Sequence, residues 1–463
     1  MESFYDFIIV GSGPCGLLSA SYLSSIGKCL IIEQGIKIKQ DSENDTYTFN
    51  QIHNAYQGSG FNFALGFPPV ILSEGRNIGG GSSVNSSLHH RAPNNIWKMW
   101  REKFLLKGFN IDKVNEGYLK IEKIFKTNIG SVEPSTFYKT ASRIGEKVER
   151  IPRWGIENDK GILIRSSASK IFIEKIKSNN GAIIGNLKFL NAYRDRNDNW
   201  VVLVKNLLTK KKYNLYCNNL VLAMGAGYTP SALHNLGLKH KQLGKFEIHP
   251  TARISIYYPE EKRPKSIVEP FQITGYFPNL MIGSSANRET LSEANYPFKE
   301  NLHNIDFSKV QNFYSMTPSN RKGKIILKGA LRNTKFYFLD LKTKLLIKKG
   351  LKKIINIAYK SNCRFIYHSG ELIDKDFFQK NDNVNSFIES CIKKTLSSVH
   401  IMASCSIGEN VNLCPLNSFG KIDGINNLLV IDQSTLPSCP TINPQSTAAL
   451  ISYINTQNFI NNL

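Results

Sequence analysis

The chain has 463 residues, with 59 Lys and Arg against 36 Asp and Glu, a formal net charge of +23, and a hydrophobic content of 41%. This length is sufficient to bury a large core. The positive charge comes without a nucleic-acid-binding signature, no apolar run is long enough to span a bilayer, and the eight cysteines lack a CxxC or other metal-binding spacing. These features argue against a nucleic-acid partner, a transmembrane protein and a metal site.

The first predicted strand begins almost at Met1, which leaves no room for a signal peptide. The cysteines, including Cys15 and Cys29 in predicted elements, are interpreted as buried thiols, and the sequence therefore predicts a cytoplasmic protein. Lys, Asn and Ile are all abundant, which is typical of an AT-rich genome. The excess of positive charge also makes an anionic substrate slightly more attractive than a neutral one.

The first motif follows a predicted buried strand over residues 6–10 and opens a predicted helix over residues 14–27. Gly11 allows a tight turn, Gly13 lets the backbone approach a pyrophosphate, and Gly16 lets the helix pack closely on the strand. The pyrophosphate would lie on the free N–H groups at the helix start, where Pro14 stands. The motif therefore predicts a dinucleotide site.

A glycine-rich loop alone is weak support, because such loops are often simple turns. Here a second predicted strand over residues 29–32 ends in Glu33, about 20 residues after Gly13. This is the spacing expected of a carboxylate that accepts hydrogen bonds from the adenosine ribose. The motif does not distinguish NAD from FAD.

A second glycine-rich segment covers residues 75–85 and contains three adjacent glycines. Such backbone without side chains allows another group to lie against it, although a flexible linker would have a similar composition. Residues 76–85 resemble the second signature of the glucose–methanol–choline (GMC) flavoenzymes, closest to the cholesterol-oxidase-like branch. The resemblance implies that this segment wraps FAD. Its implied cofactor-binding residues are Arg76, Gly80, Gly81, Ser82 and Asn85.

In that family Asn85 matches an asparagine near the flavin ring. Some members link the flavin covalently through a histidine just before this asparagine, and here Val84 occupies that place. The resemblance therefore implies non-covalent FAD. Residues 219–227, an apolar strand that runs into Gly225 and is followed by a helix to about residue 236, match the stretch that returns the chain to the flavin domain.

Three C-terminal segments, residues 399–408, 427–437 and 441–449, resemble the family's histidine segment, its acid-ended strand and its final turn into a helix. The resemblance places Asp432 near the ribityl chain. The implied cofactor-binding residues of the final turn are Asn443, Pro444, Gln445 and Thr447. Ala403 and Ser404 stand where the family usually has two glycines or glycine and threonine, which puts the local turn geometry in question.

Oxidation of an alcohol requires loss of the hydroxyl proton and of a hydride from the same carbon. An imidazole, with an ordinary pKa of about 6.5, can accept a proton near neutral pH. An amide can donate a hydrogen bond to the developing alkoxide. We therefore predict His400 as the base, or as the group that orients the hydroxyl, and Asn443 as its partner, with flavin N5 as the hydride acceptor. Asn443 alone would be interpreted as a helix N-cap.

Three further histidines are weaker candidates. His249 precedes a proline near the point where the chain leaves the cofactor domain, and a plain His-Pro turn is the favoured interpretation. His89 and His90 follow the second glycine segment and are candidates for the cavity wall, although a structural role is favoured.

The predicted fold class is α/β, with a Rossmann-type FAD-binding domain assembled from separated segments and a mixed α/β substrate domain whose sheet covers the flavin. The ranges are 1–92, 161–248 and 396–463 for the FAD-binding domain, and 93–160 and 249–395 for the substrate domain. Residues 342–360 predict a basic helix with Ile347, Leu351, Ile354, Ile355 and Ala358 on one side. Contact with an acidic membrane surface is possible for such a helix, but packing as an ordinary helix is favoured.

The sequence thus predicts an FAD-dependent oxidoreductase that oxidises a CH–OH group of a sugar, a polyol or another alcohol and passes electrons to an unknown acceptor. An anionic sugar, nucleotide-linked or phosphorylated, is slightly favoured by the charge balance. A flavin-containing lyase of the same fold and a non-catalytic flavin-binding protein remain open. The C-terminal motifs disfavour an NAD-dependent dehydrogenase.

Overall fold

A computed structural model describes residues 4–38, 49–130, 132–157, 163–262, 268–285, 292–293, 296, 305–374 and 381–463. Its strands form two large sheets and one small one, and helices cover the outer faces. The predicted domain boundary between residues 160 and 161 lies outside the described residues.

The first sheet contains the two predicted N-terminal strands in its centre. In the described part of the chain it has seven strands, and the order along its path is Leu187–Arg194, Trp200–Asn206, Lys212–Leu222, Phe4–Val10, Cys29–Ile32 and Gly181–Ile184, with Leu428–Val430 beside Lys212–Leu222. The central pairs are parallel. Residues 7–10, 29–32, 220–222 and 428–430 of these strands are buried on both faces, as expected of a parallel sheet covered by helices.

The helix after the first strand covers Pro14–Leu23, four residues shorter than predicted. The chain turns at Ser24, whose N–H donates to the carbonyl of Ala20, because it must reverse direction before Cys29–Ile32 begins. The helix packs against Ala168–Ser178 and Gln445–Ile460. The C-terminal helix therefore lies in the cofactor-binding half, beside the first glycine motif.

The second sheet is mixed and larger, with 14 strands among the described residues. The order along its path is Ile401–Met402, Lys245–Ile248, Gly323–Ile325, Lys335–Phe336, Phe63–Leu65, Val70–Leu72, Ser397–Ser398, Thr251–Tyr257, Val310–Met316, Met281–Ser284, Phe271–Ile273 and Val148–Arg150, with Phe365–His368 beside Thr251–Tyr257 and Glu371–Asp374 at that edge. Several of these strands come from ranges that the sequence assigns to the FAD-binding domain, so those ranges stay a prediction.

The remaining elements surround these sheets. A small third sheet contains Thr127–Asn128, Arg153–Glu157 and Leu163–Arg165. The other helices described are Phe49–Ala55, Asn94–Lys103, Ile111–Ile124, Thr136–Arg143, Thr229–Asn235, Leu341–Lys360 and Asn381–Thr395. None of the helices in the described ranges is long and apolar enough to cross a membrane.

The basic helix Leu341–Lys360 packs against the second sheet. All five residues of its predicted apolar side are buried, and they join the core beneath that sheet: Ile347, Leu351, Ile354, Ile355 and Ala358. The lysines lie on the outer side. Because its apolar side is already covered by protein, this helix is an ordinary amphipathic helix and does not offer that side to a membrane.

The helix provides a matched test of this packing. Leu351 is fully buried and Leu345, on the same helix, is 53% exposed. We expect Leu351→Ala to lower the free energy of unfolding by about 2–5 kcal/mol, because it removes buried methyl groups and leaves a cavity. Leu345→Ala should change it by less than about 0.5 kcal/mol. Urea denaturation measures both, and equal effects would contradict the described orientation.

Candidate active site

One cavity of about 960 Å³ lies between the two sheets. Most of the residues predicted from the sequence line it, although they come from widely separated segments. These are Gly11, Gly13, Pro14, Gly16, Glu33, Arg76, Gly80, Gly81, Asn85, Gly225, His400, Asp432, Asn443 and Gln445. The fold therefore brings the N-terminal and C-terminal motifs to one place.

The first glycine motif is locked by close backbone contacts. Gly11 has a φ of +103°, and a Cβ atom there would lie 2.2 Å from the carbonyl oxygen of Ala223. A Cβ atom on Gly16 would lie 2.2 Å from the carbonyl oxygen of Gly11. No side chain can be added at either position without moving backbone, so glycine is required for both the turn and the helix–strand contact.

The second glycine segment packs directly on the first. Gly80 has a φ of +54°, and a Cβ atom there would lie 2.8 Å from the Cα of Gly13. Gly79 N–H donates to the carbonyl of Ser12 at 2.9 Å. A Cβ on Gly13 or on Gly81 would meet no atom within 4 Å. The two segments therefore form a cradle of bare backbone that opens into the cavity.

Two buried carboxylates lie on the cavity wall, and burial raises the pKa of both. Glu33 accepts hydrogen bonds from Ser12 N–H at 3.0 Å and from Gly35 N–H at 2.8 Å. Asp432 accepts from Gly225 N–H at 2.9 Å and also from the hydroxyl of Thr229. Backbone donors hold each carboxylate in place, and the free lone pairs can accept from ligand hydroxyl groups.

The C-terminal helix Gln445–Ile460 has its first residues at the cavity. Pro444 occupies the N-cap position and no side chain caps the helix, so interpreting Asn443 as the N-cap is wrong. A proline there fits because the first N–H groups of a helix have no partner inside it. Among the described residues, neither Asn443 Oδ1 nor Gln445 Nε2 has a hydrogen-bond partner. Asn85 Nδ2 donates to Gln445 Oε1.

The imidazole of His400 contacts that of a second histidine, His249. Its Nδ1 lies 2.9 Å from Nδ1 of His249, and Nε2 of His249 lies 2.7 Å from Sγ of Cys439. His249 is fully buried and burial lowers its pKa to about 3. The pKa of His400 is also well below its usual range, because of burial and then of the neighbouring charges of His249, His90 and Arg253. Both imidazoles are therefore neutral at pH 7.

The His249–His400 contact couples the tautomers of the two rings, because only one Nδ1 can carry the shared proton. If His400 Nδ1–H donates to His249, the proton of His249 is on Nε2 and points at Cys439 Sγ. His400 Nε2 is then an unprotonated nitrogen. In the opposite arrangement, His400 Nε2 carries a proton and cannot act as a base.

Three predicted cofactor-binding residues are not on the cavity wall. Ser82 Oγ donates to the carbonyl of Gly79 at 2.7 Å, and the Thr447 hydroxyl lies 2.9 Å from the Tyr118 hydroxyl. Pro444 is buried beneath the helix start. These side chains shape the surrounding backbone. Their predicted contact with the cofactor stays a prediction.

His89 and His90 are also absent from the wall. His89 bonds to Glu122 at 2.9 Å, and His90 Nε2 lies 2.9 Å from Gln272 Oε1. These contacts agree with the favoured interpretation that His89 and His90 have structural roles. His249, favoured as a plain turn, instead contacts His400. The sequence offered only its His-Pro pair as a signal.

The residues present fit a flavin dinucleotide. The glycine cradle meets the start of a ten-residue helix, which suits a pyrophosphate. Glu33 and Asp432 offer acceptors for sugar hydroxyls, and the cavity continues to the unpaired polar atoms at the start of the C-terminal helix. Such orphaned buried atoms are expected where a bound group completes the hydrogen bonding.

Comparison with known families agrees with this geometry. The GMC oxidoreductase N-terminal model matches residues 5–251 and the GMC oxidoreductase C-terminal model matches residues 321–452. The chain belongs to the GMC oxidoreductase family. The predicted family and the Rossmann-type α/β fold are therefore confirmed, whereas the likeness to the cholesterol-oxidase-like branch stays a prediction.

Curated relatives match along almost the whole chain at low identity. A GMC-type oxidoreductase of Sinorhizobium fredii is 22% identical over 97% of this chain and 93% of its own length. A long-chain-alcohol oxidase of Arabidopsis thaliana is 22% identical over 97% and 67%. A (R)-mandelonitrile lyase of Prunus dulcis is 25% identical over 96% and 85%. Both an oxidase and a lyase are thus among its relatives.

Ala403, where the chain departs from the family pattern, adopts a left-handed backbone conformation. Ala403 has a φ of +59°, in the left-handed region where glycine is the usual residue. Its N–H donates to the carbonyl of Gln433 at 3.3 Å, and Ser404 Oγ donates to Ala226 O at 2.7 Å. Surrounding bonds therefore hold an alanine in a glycine-like conformation, three residues after His400.

The pKa of His249 predicts a pH dependence of stability. The unfolded chain binds a proton at His249 below about pH 6.5, whereas the folded protein resists it until about pH 3. The unfolded state therefore binds more protons in this window, and the free energy of unfolding falls as pH falls. His249→Asn removes this group and should reduce the loss between pH 7 and pH 4.5 by up to about 2 kcal/mol.

Urea denaturation at several pH values measures this difference. His53 is an exposed histidine on Phe49–Ala55, and His53→Asn should keep the wild-type dependence on pH. An unchanged slope in His249→Asn would contradict the buried, neutral state of the pair.

Proposed function

We propose that this GMC oxidoreductase uses FAD to oxidise a CH–OH group of a sugar, a polyol or another alcohol, with His400 as the base. The observation that carries the proposal is that His400 and Asn443 line the same cavity as the glycine cradle. The long-chain-alcohol oxidases among its relatives support alcohol oxidation in general. The electron acceptor and the exact alcohol are open, and a cytoplasmic location is part of the proposal.

The chain supplies the acid–base part of the reaction. His400 Nδ1 is bonded to His249, which leaves Nε2 to accept the hydroxyl proton. The lowered pKa keeps His400 neutral before reaction, although it also weakens the base. Asn443 Oδ1 has no hydrogen-bond partner in the described part of the chain, and the Nδ2 of the same amide can donate to the alcohol oxygen, where negative charge develops.

The cofactor would be held by the backbone of the two glycine segments, by Glu33 and Asp432, and by the start of Gln445–Ile460. When bound, FAD supplies a hydride acceptor that amino-acid side chains cannot provide. The helix dipole of Gln445–Ile460 would favour negative charge next to its first turn. Val84, on the cavity wall, offers no nucleophile, which supports non-covalent binding.

A lyase is the second candidate, favoured by the relative named (R)-mandelonitrile lyase. A lyase needs the same acid–base groups, since a neutral imidazole can deprotonate a hydroxyl group in either reaction. The difference is whether the cofactor is reduced, which a spectrum measures directly.

The main test is an anaerobic screen of alcohols that follows loss of the visible flavin absorption. We expect at least one alcohol to bleach wild-type protein. His400→Ala should lower the rate by about 10²–10⁴-fold, the usual contribution of a positioned base. Asn443→Ala should lower it by about 10²-fold, because an amide donor to the oxyanion is lost. His240→Ala is the control, because His240 lies away from the cavity and contacts Val411.

The lyase becomes the better assignment if substrates are converted without bleaching and His400→Ala abolishes the conversion. Wild-type bleaching rates in His400→Ala would remove His400 from the mechanism.

A separate test concerns the attachment of the cofactor. After acid precipitation, we expect all of the yellow flavin in the supernatant and none in the pellet, because residue 84 is valine. Absorption spectra of both fractions measure this. A coloured pellet would contradict non-covalent binding.

A further inference from the structure

The second sheet presents two different faces at strand Thr251–Tyr257. Side chains alternate along a strand, so every second residue lies on the same face. One face is apolar and packs toward the helix Leu341–Lys360, and it contains Ala252, Ile254 and Ile256. The other face lines the cavity and contains Thr251, Arg253 and Ser255. The second sheet, called the roof sheet below, therefore covers the candidate active site with a polar face. The positively charged Arg253 lies in the middle of this face.

Arg253 has only neutral partners. Its Nε donates to Ser285 Oγ at 3.0 Å and its Nη1 donates to Ser397 Oγ. Among the residues that the structure describes, no carboxylate lies within ion-pair distance of this guanidinium. Burial lowers the pKa of Arg253, with nearby tyrosines as the other contributions. The Nη2 group makes no hydrogen bond to the described part of the chain.

A buried charge without a counter-ion is unfavourable, and proteins normally pair it. By contrast, the buried Lys335, which does not line the cavity, has Glu74 at 3.1 Å. Arg253 lies opposite Tyr314 on the neighbouring strand, which also lines the cavity. Its remaining N–H groups are arranged as a planar fork, which matches the two oxygens of a carboxylate or phosphate.

Arg253 is also close to the proposed base. Its partner Ser397 lies three residues before His400, and its positive charge is one cause of the low pKa of His400. An anion bound to Arg253 would neutralise this charge. The base would then regain part of its affinity for a proton when that anion is present.

We propose that Arg253 binds an anionic oxyacid group, a carboxylate or a phosphate, on the alcohol that this enzyme oxidises. The inference rests on the proposed function and narrows its substrate class. The guanidinium fixes the anionic end of the substrate under the roof sheet and leaves the hydroxyl end near His400. A neutral hydrocarbon alcohol would leave Arg253 unpaired.

The test uses flavin-loaded protein and matched alcohols that differ in charge. Glycerol is compared with glycerol 3-phosphate and glycerate, and glucose with glucose 6-phosphate and gluconate. The readout is kcat/KM with an artificial electron acceptor. For wild type we expect an anionic member to exceed its neutral partner by about 10²-fold or more, the size of effect given by a desolvated charge pair. Arg253→Met should bring this ratio close to one, and Arg253→Lys should keep part of it.

The control is Arg101→Met on the exposed side of Asn94–Lys103, which removes the same charge at a residue that does not line the cavity. It should keep the wild-type ratio. A second readout is independent of turnover. Inorganic phosphate or acetate, at constant ionic strength, should raise the Tm of flavin-loaded wild type more than that of Arg253→Met. The anion that produces the larger difference separates phosphate from carboxylate recognition.

The proposal is overturned if neutral alcohols are preferred, if the ratio survives in Arg253→Met, or if Arg253→Met slows every alcohol equally and keeps both Tm shifts. The last result would assign Arg253 to the cofactor. If no alcohol of either class bleaches the flavin, the proposed function fails. An anion-dependent Tm shift that Arg253→Met abolishes would then still support the anion site, and its absence would end that inference too.

Discussion

The contact between the two glycine segments is the constraint on which the rest of the site depends. Gly80 lies against Gly13 so closely that one Cβ atom would come within 2.8 Å of the Gly13 Cα. This contact joins the start of helix Pro14–Leu23 to the segment that continues to Asn85. Asn85 in turn donates to Gln445, at the start of the C-terminal helix. The backbone contact between Gly80 and Gly13 is therefore connected, through Asn85 and Gln445, to the helix start beside which Asn443 lies.

The elements that could be predicted are those whose signal is local. Apolar runs gave the strands that end at Val10 and Ile32, and glycine spacing gave the turn between the first strand and its helix, since these patterns depend on neighbours in the chain. The C-terminal site residues came from a family resemblance. The helix end at Leu23 was missed because a turn of ordinary residues has no strong sequence signal.

The contact of His249 with His400 could not be predicted because 151 positions separate the two residues. The antiparallel pairing of Lys245–Ile248 with Ile401–Met402 and of Thr251 with Ser397 brings them together. The same reason applies to Arg253, which has no motif around it. Its environment is set by strand pairing and by a serine that lies 144 positions away. Ala403 shows the reverse case, since a residue unlike the family pattern still adopts the conformation that tertiary contacts impose.

Cys439, the partner of His249, determines how far the surroundings of His249 can stabilise a positive charge on His400. Burial raises the pKa of Cys439 well above its usual range, so the thiol is neutral and contributes no negative charge behind the histidine pair. A carboxylate at this position would stabilise a protonated His400 through His249, whereas a neutral thiol offers only weak hydrogen bonds and no charge. An anionic substrate held by Arg253 would cancel the charge of this guanidinium, which is one cause of the low pKa of His400, and would therefore favour protonation of the base during the reaction.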